Sequence, residues 1–242
     1  FLDDKNNDPL FFATVGALVK KKPESARAAI LREIKEQDFT KAGNRIPDLV
    51  HLLSVYKDIS LESFLLEKLQ SADTYADYRS GILKYLAEMK NWSENLKTHV
   101  AKIFEDEAEP LTVRGSAAYA LGKAGIDTAK PKLKAVLNKI EAMENGDEKK
   151  RYTRFRMQII AGLILLKDDA VKEILFNMSR DDDEIVRLRA VRQIGALKIP
   201  DARPLLEYKS KFDPSVKIQR EAKKALSHLD KDTPDDLPSE DK

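Results

Sequence analysis

Cysteine is absent from the 242 residues, which excludes disulfide bonds, thiolate metal ligands and cysteine nucleophiles together. The three histidines lie far apart, at positions 51, 99 and 228, so we expect no metal site built from histidine. No apolar run approaches the roughly 20 residues that a membrane-spanning helix needs. The few glycines form neither a phosphate-binding loop nor a dinucleotide-binding fingerprint. These absences favour a soluble, folded chain without a metal or cofactor.

Charged residues are numerous and nearly balanced in sign. They make up 35% of the chain, well above the roughly 25% of typical globular proteins. Lysine and arginine total 43 and aspartate and glutamate 41, and the resulting net charge of +2 is low for a nucleic-acid-binding protein. The absence of cysteine, together with Phe1 in place of a starting methionine, favours an exported bacterial protein over a cytoplasmic one.

Apolar residues recur at three- and four-residue spacing along most of the chain. One example is the set Ile30, Leu31 and Ile34, which follows Pro23, a residue suited to the first turn of a helix. No stretch shows the sustained alternation of apolar and polar residues that is typical of strands. The sequence therefore predicts an all-α protein of about a dozen helices, each of roughly 10–18 residues.

The sequence also repeats itself. Residues 113–122 (VRGSAAYALG) and residues 186–195 (VRLRAVRQIG) align without gaps, and a further copy lies between them near Phe155. Weaker copies begin near residues 45, 78 and 218. The unit is a helix pair of roughly 31–42 residues, within the range of solenoid repeats. One such pair cannot bury its own apolar face, so we expect the pairs to stack.

Residues 113–122 resemble the second helix of the HEAT repeat family, in its bacterial HEAT-like branch, which typically opens with Val-Arg and ends with Ala-Leu-Gly. The resemblance covers nearly all of residues 9–229. It implies a right-handed α-solenoid, or superhelix, of about six HEAT-like helix pairs whose second helices line the concave face. We therefore expect a single domain over residues 1–229. Residues 230–242 are rich in acidic residues and proline and are predicted to form a disordered tail.

The residue after the opening valine position is arginine in four of the six copies, at positions 79, 114, 156 and 187. In HEAT-type repeats an aspartate six residues earlier commonly pairs with this arginine across the turn between the two helices. Asp73 precedes Arg79, and Asp181 precedes Arg187, at that spacing. The resemblance therefore implies a structural role for the two pairs, Asp73 with Arg79 and Asp181 with Arg187. Each ion pair is expected to fix the geometry of its turn.

The alignment predicts which side chains face a partner on the concave surface. The position six residues after the opening valine is basic or aromatic in most copies, and amphipathic aromatics are enriched at binding hot spots. Neighbouring positions and the basic run of residues 149–156 add further candidates. The predicted partner-binding residues are Lys84, Tyr85, Tyr119, Arg154, Arg189, Arg192 and Lys224. A charged face that is simply solvated remains an open alternative for these positions.

No paired nucleophile and base and no His-Glu metal-binding pair occur, so the sequence predicts that the chain is not an enzyme. The predicted function is a non-catalytic scaffold or adaptor that binds an unidentified protein partner on the concave face. The alternative is a nucleic-acid-binding protein with a basic concave face, which the low net charge disfavours. An atypical lyase or glycosylase comes third.

Overall fold

A computed structural model describes residues 13, 17, 21, 23–42, 46, 49–50, 61–71, 73–89, 91–144 and 146–230. Within these ranges the chain forms twelve α-helices with described bounds and no strand. They are α1 (Pro23–Glu36), α2 (Glu62–Gln70), α3 (Ala76–Ala87), α4 (Glu94–Glu105), α5 (Leu111–Lys123), α6 (Lys130–Glu141), α7 (Gly146–Arg151), α8 (Thr153–Leu165), α9 (Lys172–Met178), α10 (Glu184–Ala196), α11 (Arg203–Phe212) and α12 (Val216–Asp230). The all-α prediction is confirmed.

The helices form two compact units, residues 1–129 and residues 130–242. In the first unit, α5 packs on both α3 and α4, and α2 packs on α3. In the second unit, α12 packs on both α10 and α11, and α8 packs on α6. The second helices of the pairs are α3, α5, α8, α10 and α12. Within each unit they also pack on one another, α3 on α5 in the first unit and α10 on both α8 and α12 in the second.

First and second helices differ in how their residues are buried. The first helix α4 is amphipathic, with Leu96, Val100, Ile103 and Phe104 buried at helical spacing. Its start is capped by Ser93, whose Oγ accepts a hydrogen bond from the Leu96 amide at 3.1 Å. The second helix α5 is buried on most sides, since nine of its thirteen residues are buried. Close packing on most sides explains why α5 carries three alanines and two glycines.

Three second helices end in the same backbone motif. Gly125, Lys167 and Lys198 adopt left-handed conformations with φ of 72°, 59° and 50°. In each case the next amide donates to the carbonyl five residues earlier, as Ile126 does to Leu121 at 2.9 Å. Short 3₁₀ turns follow, at Asp127–Ala129, Asp169–Val171 and Pro200–Ala202, and lead into the next first helix.

Two predictions concern residues that the structure does not describe. In the copy near residue 45, the position six residues after the opening valine is His51, which lies outside the described residues. The tail from residue 231 to residue 242 lies outside them as well. The single domain over residues 1–229 and the disordered tail stay predictions. None of the helices in the described ranges has the length and apolar character that crossing a membrane requires.

Candidate functional site

The first predicted ion pair, between Asp73 and Arg79, is wrong. Arg79 is held instead by Glu109, with Nη1 2.7 Å from Oε2 and Nη2 2.5 Å from Oε1. Both side chains are largely buried, at 12% and 14% exposure, whereas Asp73 is exposed. Glu109 lies just before α5, so this pair connects one helix pair to the next. Glu109 follows Arg79 in the sequence, whereas the repeat pattern points to an acid that precedes the arginine.

The second predicted pair, between Asp181 and Arg187, is also corrected. Arg187 Nη1 donates to the backbone carbonyls of Asp181 and Asp182, each at 2.8 Å. Its ion-pair partner is Asp213, whose Oδ2 lies 3.5 Å from Arg187 Nε. The Asp181 carboxylate accepts a hydrogen bond from the Asp183 amide within the turn. Asp181 therefore stabilises the turn, while the charge of Arg187 is balanced from the next helix pair.

Asp213 is the most buried carboxylate of this arrangement. Its side chain is 1% exposed and lies 3.0 Å from Lys209 Nζ. Burial alone would raise its pKa. The amide of Ser215, the hydrogen bond and charge of Lys209 and the charge of Arg187 outweigh burial and hold the pKa of Asp213 below its ordinary value. The carboxylate is therefore ionised. It connects α10, through Arg187, with α11, through Lys209, and with the turn at Ser215.

The other two arginines of the repeat position have comparable roles. Arg114 Nε donates to the Phe104 carbonyl at 2.9 Å, at the end of α4. Arg156 forms a two-pronged ion pair with Glu141, at the end of α6, through Nε and through Nη2, the latter at 2.9 Å. The four arginines of this repeat position thus connect second helices to helix ends and turns.

A groove lies between α10 and α12 in the second unit, with a volume of about 330 Å³. We call it the α10–α12 groove. Its floor is formed where Gly195 meets Ala225: a methyl group at Gly195 would lie 2.7 Å from the Ala225 Cβ. Across the groove, Arg192 Nη2 is 2.9 Å from Glu221 Oε1. The lining residues are Val191, Arg192, Gly195, Ala196, Glu221, Lys224, Ala225 and His228.

The structure brings together two of the predicted partner-binding residues, because Arg192 and Lys224 line this one groove. Both are exposed, and so is Arg189 on α10. Arg154, also exposed, stands at the start of α8 in the same unit. These placements agree with a surface role for the four basic side chains.

The three candidates in the first unit are placed differently from one another. Lys84 is exposed on α3. Tyr119 is half-buried on α5, and its burial, with a smaller effect of the Glu88 charge, raises the pKa of its hydroxyl. Tyr85 is only 3% exposed, which corrects its assignment to a partner-facing surface. Its ring packs inside the helix layer because α3 is covered by neighbours on more than one side.

The surface beside the groove is basic. Exposed positions on α12 include Lys217, Arg220, Lys223 and Lys224, and none of them has an acidic partner among the described residues. The one acid on that side of the helix, Glu221, is engaged with Arg192. The groove therefore combines a floor of small apolar side chains with a rim of positive charge.

Comparison with known proteins supports the fold and the repeat. Residues 113–139 match the sequence model of the PBS lyase HEAT-like repeat. Among solved structures, the chain is similar to the complex of CpcE and CpcF of phycocyanin lyase from Nostoc sp. PCC7120. That match has a TM-score of 0.56 and 15% sequence identity, and it covers 94% of this chain and 91% of that chain. No curated protein sequence matches this chain.

These matches confirm the resemblance to HEAT-like repeats and the α-solenoid fold class. They also overturn the prediction that the chain is not an enzyme, since the matching repeat is that of PBS lyases and the solved structure is a phycocyanin lyase. That prediction rested on the absence of a recognisable catalytic motif. That absence is weak evidence in a repeat fold, where a site is assembled from side chains on separate repeats.

Proposed function

We propose that this HEAT-like repeat protein binds a protein partner, and that the partner presents an acidic segment to the α10–α12 groove. The observation that carries the proposal is the meeting of Arg192 and Lys224 in one groove, beside basic residues of α12 that have no acidic partner among the described residues. Repeat proteins bind extended partners on surfaces built from successive repeats.

The floor of the groove favours a polypeptide as its ligand. Three buried apolar residues, Val191, Gly195 and Ala225, belong to its lining and give the groove an apolar floor. Basic residues at the rim supply electrostatic steering and complementarity to carboxylates. Glu221 also lines the groove, where it is paired with Arg192, and its carboxylate would repel a continuous phosphate backbone. A peptide can place an apolar side chain there and its carboxylates to either side.

The similar solved structure supports a protein as the partner, because in it CpcE is in complex with another chain, CpcF.

The same match favours a second candidate function, a lyase subunit that acts on a phycobilisome protein. Mixing the purified chain with an unmodified phycocyanin subunit and its chromophore tests this candidate. Covalent chromophore on the subunit, detected on a denaturing gel, supports it, and its absence in the presence of a full set of partners contradicts it.

The protein-binding proposal is tested with a labelled acidic peptide that carries one leucine, titrated by fluorescence anisotropy. Arg192→Glu with Lys224→Glu should weaken its binding at least about tenfold, the effect of losing favourable charge contacts and gaining repulsion. Arg180→Glu with Lys211→Glu makes the same charge change away from the groove and serves as the matched control. If both double variants weakened peptide binding equally, binding would depend only on the net charge of the protein, which would contradict a role for the groove.

A photoreactive residue in place of Ala196, an exposed position in the groove lining, identifies the partner itself. A cross-linked protein that is lost in the Arg192→Glu and Lys224→Glu variant supports the proposal. Cross-linking that persists unchanged in that variant contradicts it.

A further inference from the structure

An exposed apolar patch lies at one edge of the second unit. Among the described residues, four large apolar side chains are between 57% and 65% exposed, and they are Ile185, Tyr208, Phe212 and Val216. Tyr208 and Phe212 are one turn apart on α11, and their ring centroids are 5.2 Å apart. Single exposed apolar residues are normal on a protein surface, whereas clusters of them mark interaction sites. We call these four residues the edge patch.

The elements that carry the edge patch are held close together. Phe212 ends α11 and Val216 begins α12, and the turn between them is only three residues long. Ser215, in that turn, donates a hydrogen bond from its Oγ to Glu184 Oε1 at 2.7 Å. Glu184 directly precedes Ile185 at the start of α10. The edge patch therefore lies where a first helix ends and two second helices begin.

The repeat fold does not require aromatic residues at this edge. Ser179 and Ser210 occupy equivalent positions in successive repeats, since the Oγ of each donates to the carbonyl three residues earlier. This alignment places Asn177 and Asp181 at the positions of the two aromatic residues of the edge patch. The preceding repeat thus has polar residues where α11 exposes its two rings.

The edge patch is also distinct from the surface on which a further repeat would stack. Asn177 and Asp181 are exposed, although the helix pair α11–α12 follows them and packs within the same unit. Ile185 is exposed beside that following pair as well. A following helix pair therefore leaves these positions open to solvent, so a different contact must cover the edge patch.

The charges on the two sides of the edge patch have opposite signs. Asp182 and Glu184 are exposed next to Ile185, at the start of α10. Lys217 and Arg220 are exposed on the first turns of α12, next to Val216. The apolar side chains are therefore flanked by an acidic side and a basic side.

We propose that the edge patch binds a second copy of this chain, in an isologous dimer with a two-fold axis. A two-fold rotation can place the acidic side of one copy on the basic side of the other, and it makes this contact twice. The apolar side chains then meet at the centre, where interfaces are enriched in aromatic residues. An acidic partner, a basic partner or an anionic membrane would match one side and be repelled by the other.

The size of the edge patch indicates that the charges are part of the contact. A fully buried aromatic side chain contributes about 150–250 Å². Four partly exposed side chains therefore fall short of the roughly 800 Å² per partner of a standard interface. The flanking charges must supply the rest of the surface, so dimerisation depends on both the rings and the ion pairs.

Sedimentation equilibrium of the full chain over a range of micromolar concentrations tests the dimer. We expect the mass to rise from the 27.4 kDa of one chain towards twice that value. Tyr208→Asn with Phe212→Asp installs the residues of the preceding repeat and should weaken dimerisation at least about tenfold. Tyr75→Ser is the matched control, because Tyr75 is an aromatic residue of the first unit with 41% exposure and should not affect the mass.

A charge exchange tests the two-fold arrangement itself. Lys217→Glu with Arg220→Glu makes both sides acidic, and Asp182→Lys with Glu184→Lys makes both sides basic. Each double variant alone should be monomeric, because like charges then face each other. An equimolar mixture of the two should form a heterodimer. Arg192→Glu with Lys224→Glu changes the α10–α12 groove and should leave the dimer intact, so the dimer and the proposed function are tested separately.

Three outcomes would overturn the proposal. The unaltered chain could stay monomeric at every concentration, the dimer could survive the two aromatic substitutions, or the mixture of charge variants could stay monomeric although each variant is folded by circular dichroism. The first measurement needs no variant, so it decides the question even if a variant fails to fold. Binding of a monomeric chain to phosphatidylglycerol vesicles, lost on the aromatic substitutions, would assign the edge patch to a membrane surface instead.

Discussion

Arg79 and Glu109 form a two-pronged ion pair between successive helix pairs, and Arg187 and Asp213 repeat the relationship in the second unit. In both cases the acid lies in the turn before the next second helix. The arginine of one repeat is thus balanced by the turn of the repeat that follows. Such contacts between neighbours are what couples the repeats of a solenoid into a cooperative structure.

Removing Glu109 should therefore be costly. Glu109→Ala leaves the largely buried Arg79 without its counter-charge, and we expect the free energy of unfolding to fall by about 3 kcal/mol, in the range for breaking a buried pair. Asp73→Ala is the matched control, since Asp73 is exposed and should change the stability by less than about 0.5 kcal/mol. Urea unfolding followed by circular dichroism measures both. Equal losses of stability in Glu109→Ala and Asp73→Ala would favour the pairing of Asp73 with Arg79 that the sequence predicted.

The Asp213 carboxylate should make stability depend on pH in the acidic range. Because its pKa is lowered on folding, it stabilises the protein above its unfolded pKa of about 3.9 and loses this contribution as the pH falls through its folded pKa. Asp213→Asn should remove that contribution at pH 7, so the variant and the parent should converge as the pH falls below about 4. Asp182→Asn, at an exposed turn position, is the control. If the difference in stability between Asp213→Asn and the parent grew towards low pH, the pKa of Asp213 would not be lowered on folding.

Two glycines in second helices should respond oppositely to alanine. A Cβ at Gly195 would lie 2.7 Å from the Cβ of Ala225, so Gly195→Ala must separate α10 from α12 and should destabilise by about 1–3 kcal/mol. Gly81, inside α3, has no atom within 4 Å of the position its Cβ would take, apart from its chain neighbours and the backbone of its own helix. Gly81→Ala should stabilise by about 0.5–1 kcal/mol through helix propensity. Thermal melts of the two variants check both signs, and destabilisation by Gly81→Ala would contradict the packing described.

The left-handed lysines offer a further test. Lys198, with φ of 50°, pays a conformational cost that glycine avoids, so Lys198→Gly should stabilise by about 1 kcal/mol. Gly125→Ala, at the same place in another repeat, should destabilise by a similar amount, because open space surrounds its Cβ position and only the backbone is strained. Chemical unfolding of both variants measures these changes. A loss of stability in Lys198→Gly would mean that its side chain contributes more than its backbone costs.

The sequence predicted the helices and the repeat well, because three- and four-residue apolar spacing is a local property that a solenoid preserves. It failed for the partners of Arg79 and Arg187, since these acids lie about one repeat downstream and their proximity depends on how pairs stack. It also failed for Tyr85, because one aligned column cannot tell that a helix is covered on more than one side.

The last prediction separates a protein partner from a nucleic acid at the α10–α12 groove. Each phosphate contact contributes about 0.9 to the slope of log K against log salt concentration. Because Glu221 interrupts the basic lining and the floor is apolar, we expect only weak binding to random duplex DNA, with a slope equivalent to about two contacts or fewer. Filter binding or anisotropy between 50 and 200 mM salt measures this slope. Micromolar binding at physiological salt, with a slope near about six that falls by about two in the Arg192→Glu and Lys224→Glu variant, would make nucleic acid the ligand of the groove.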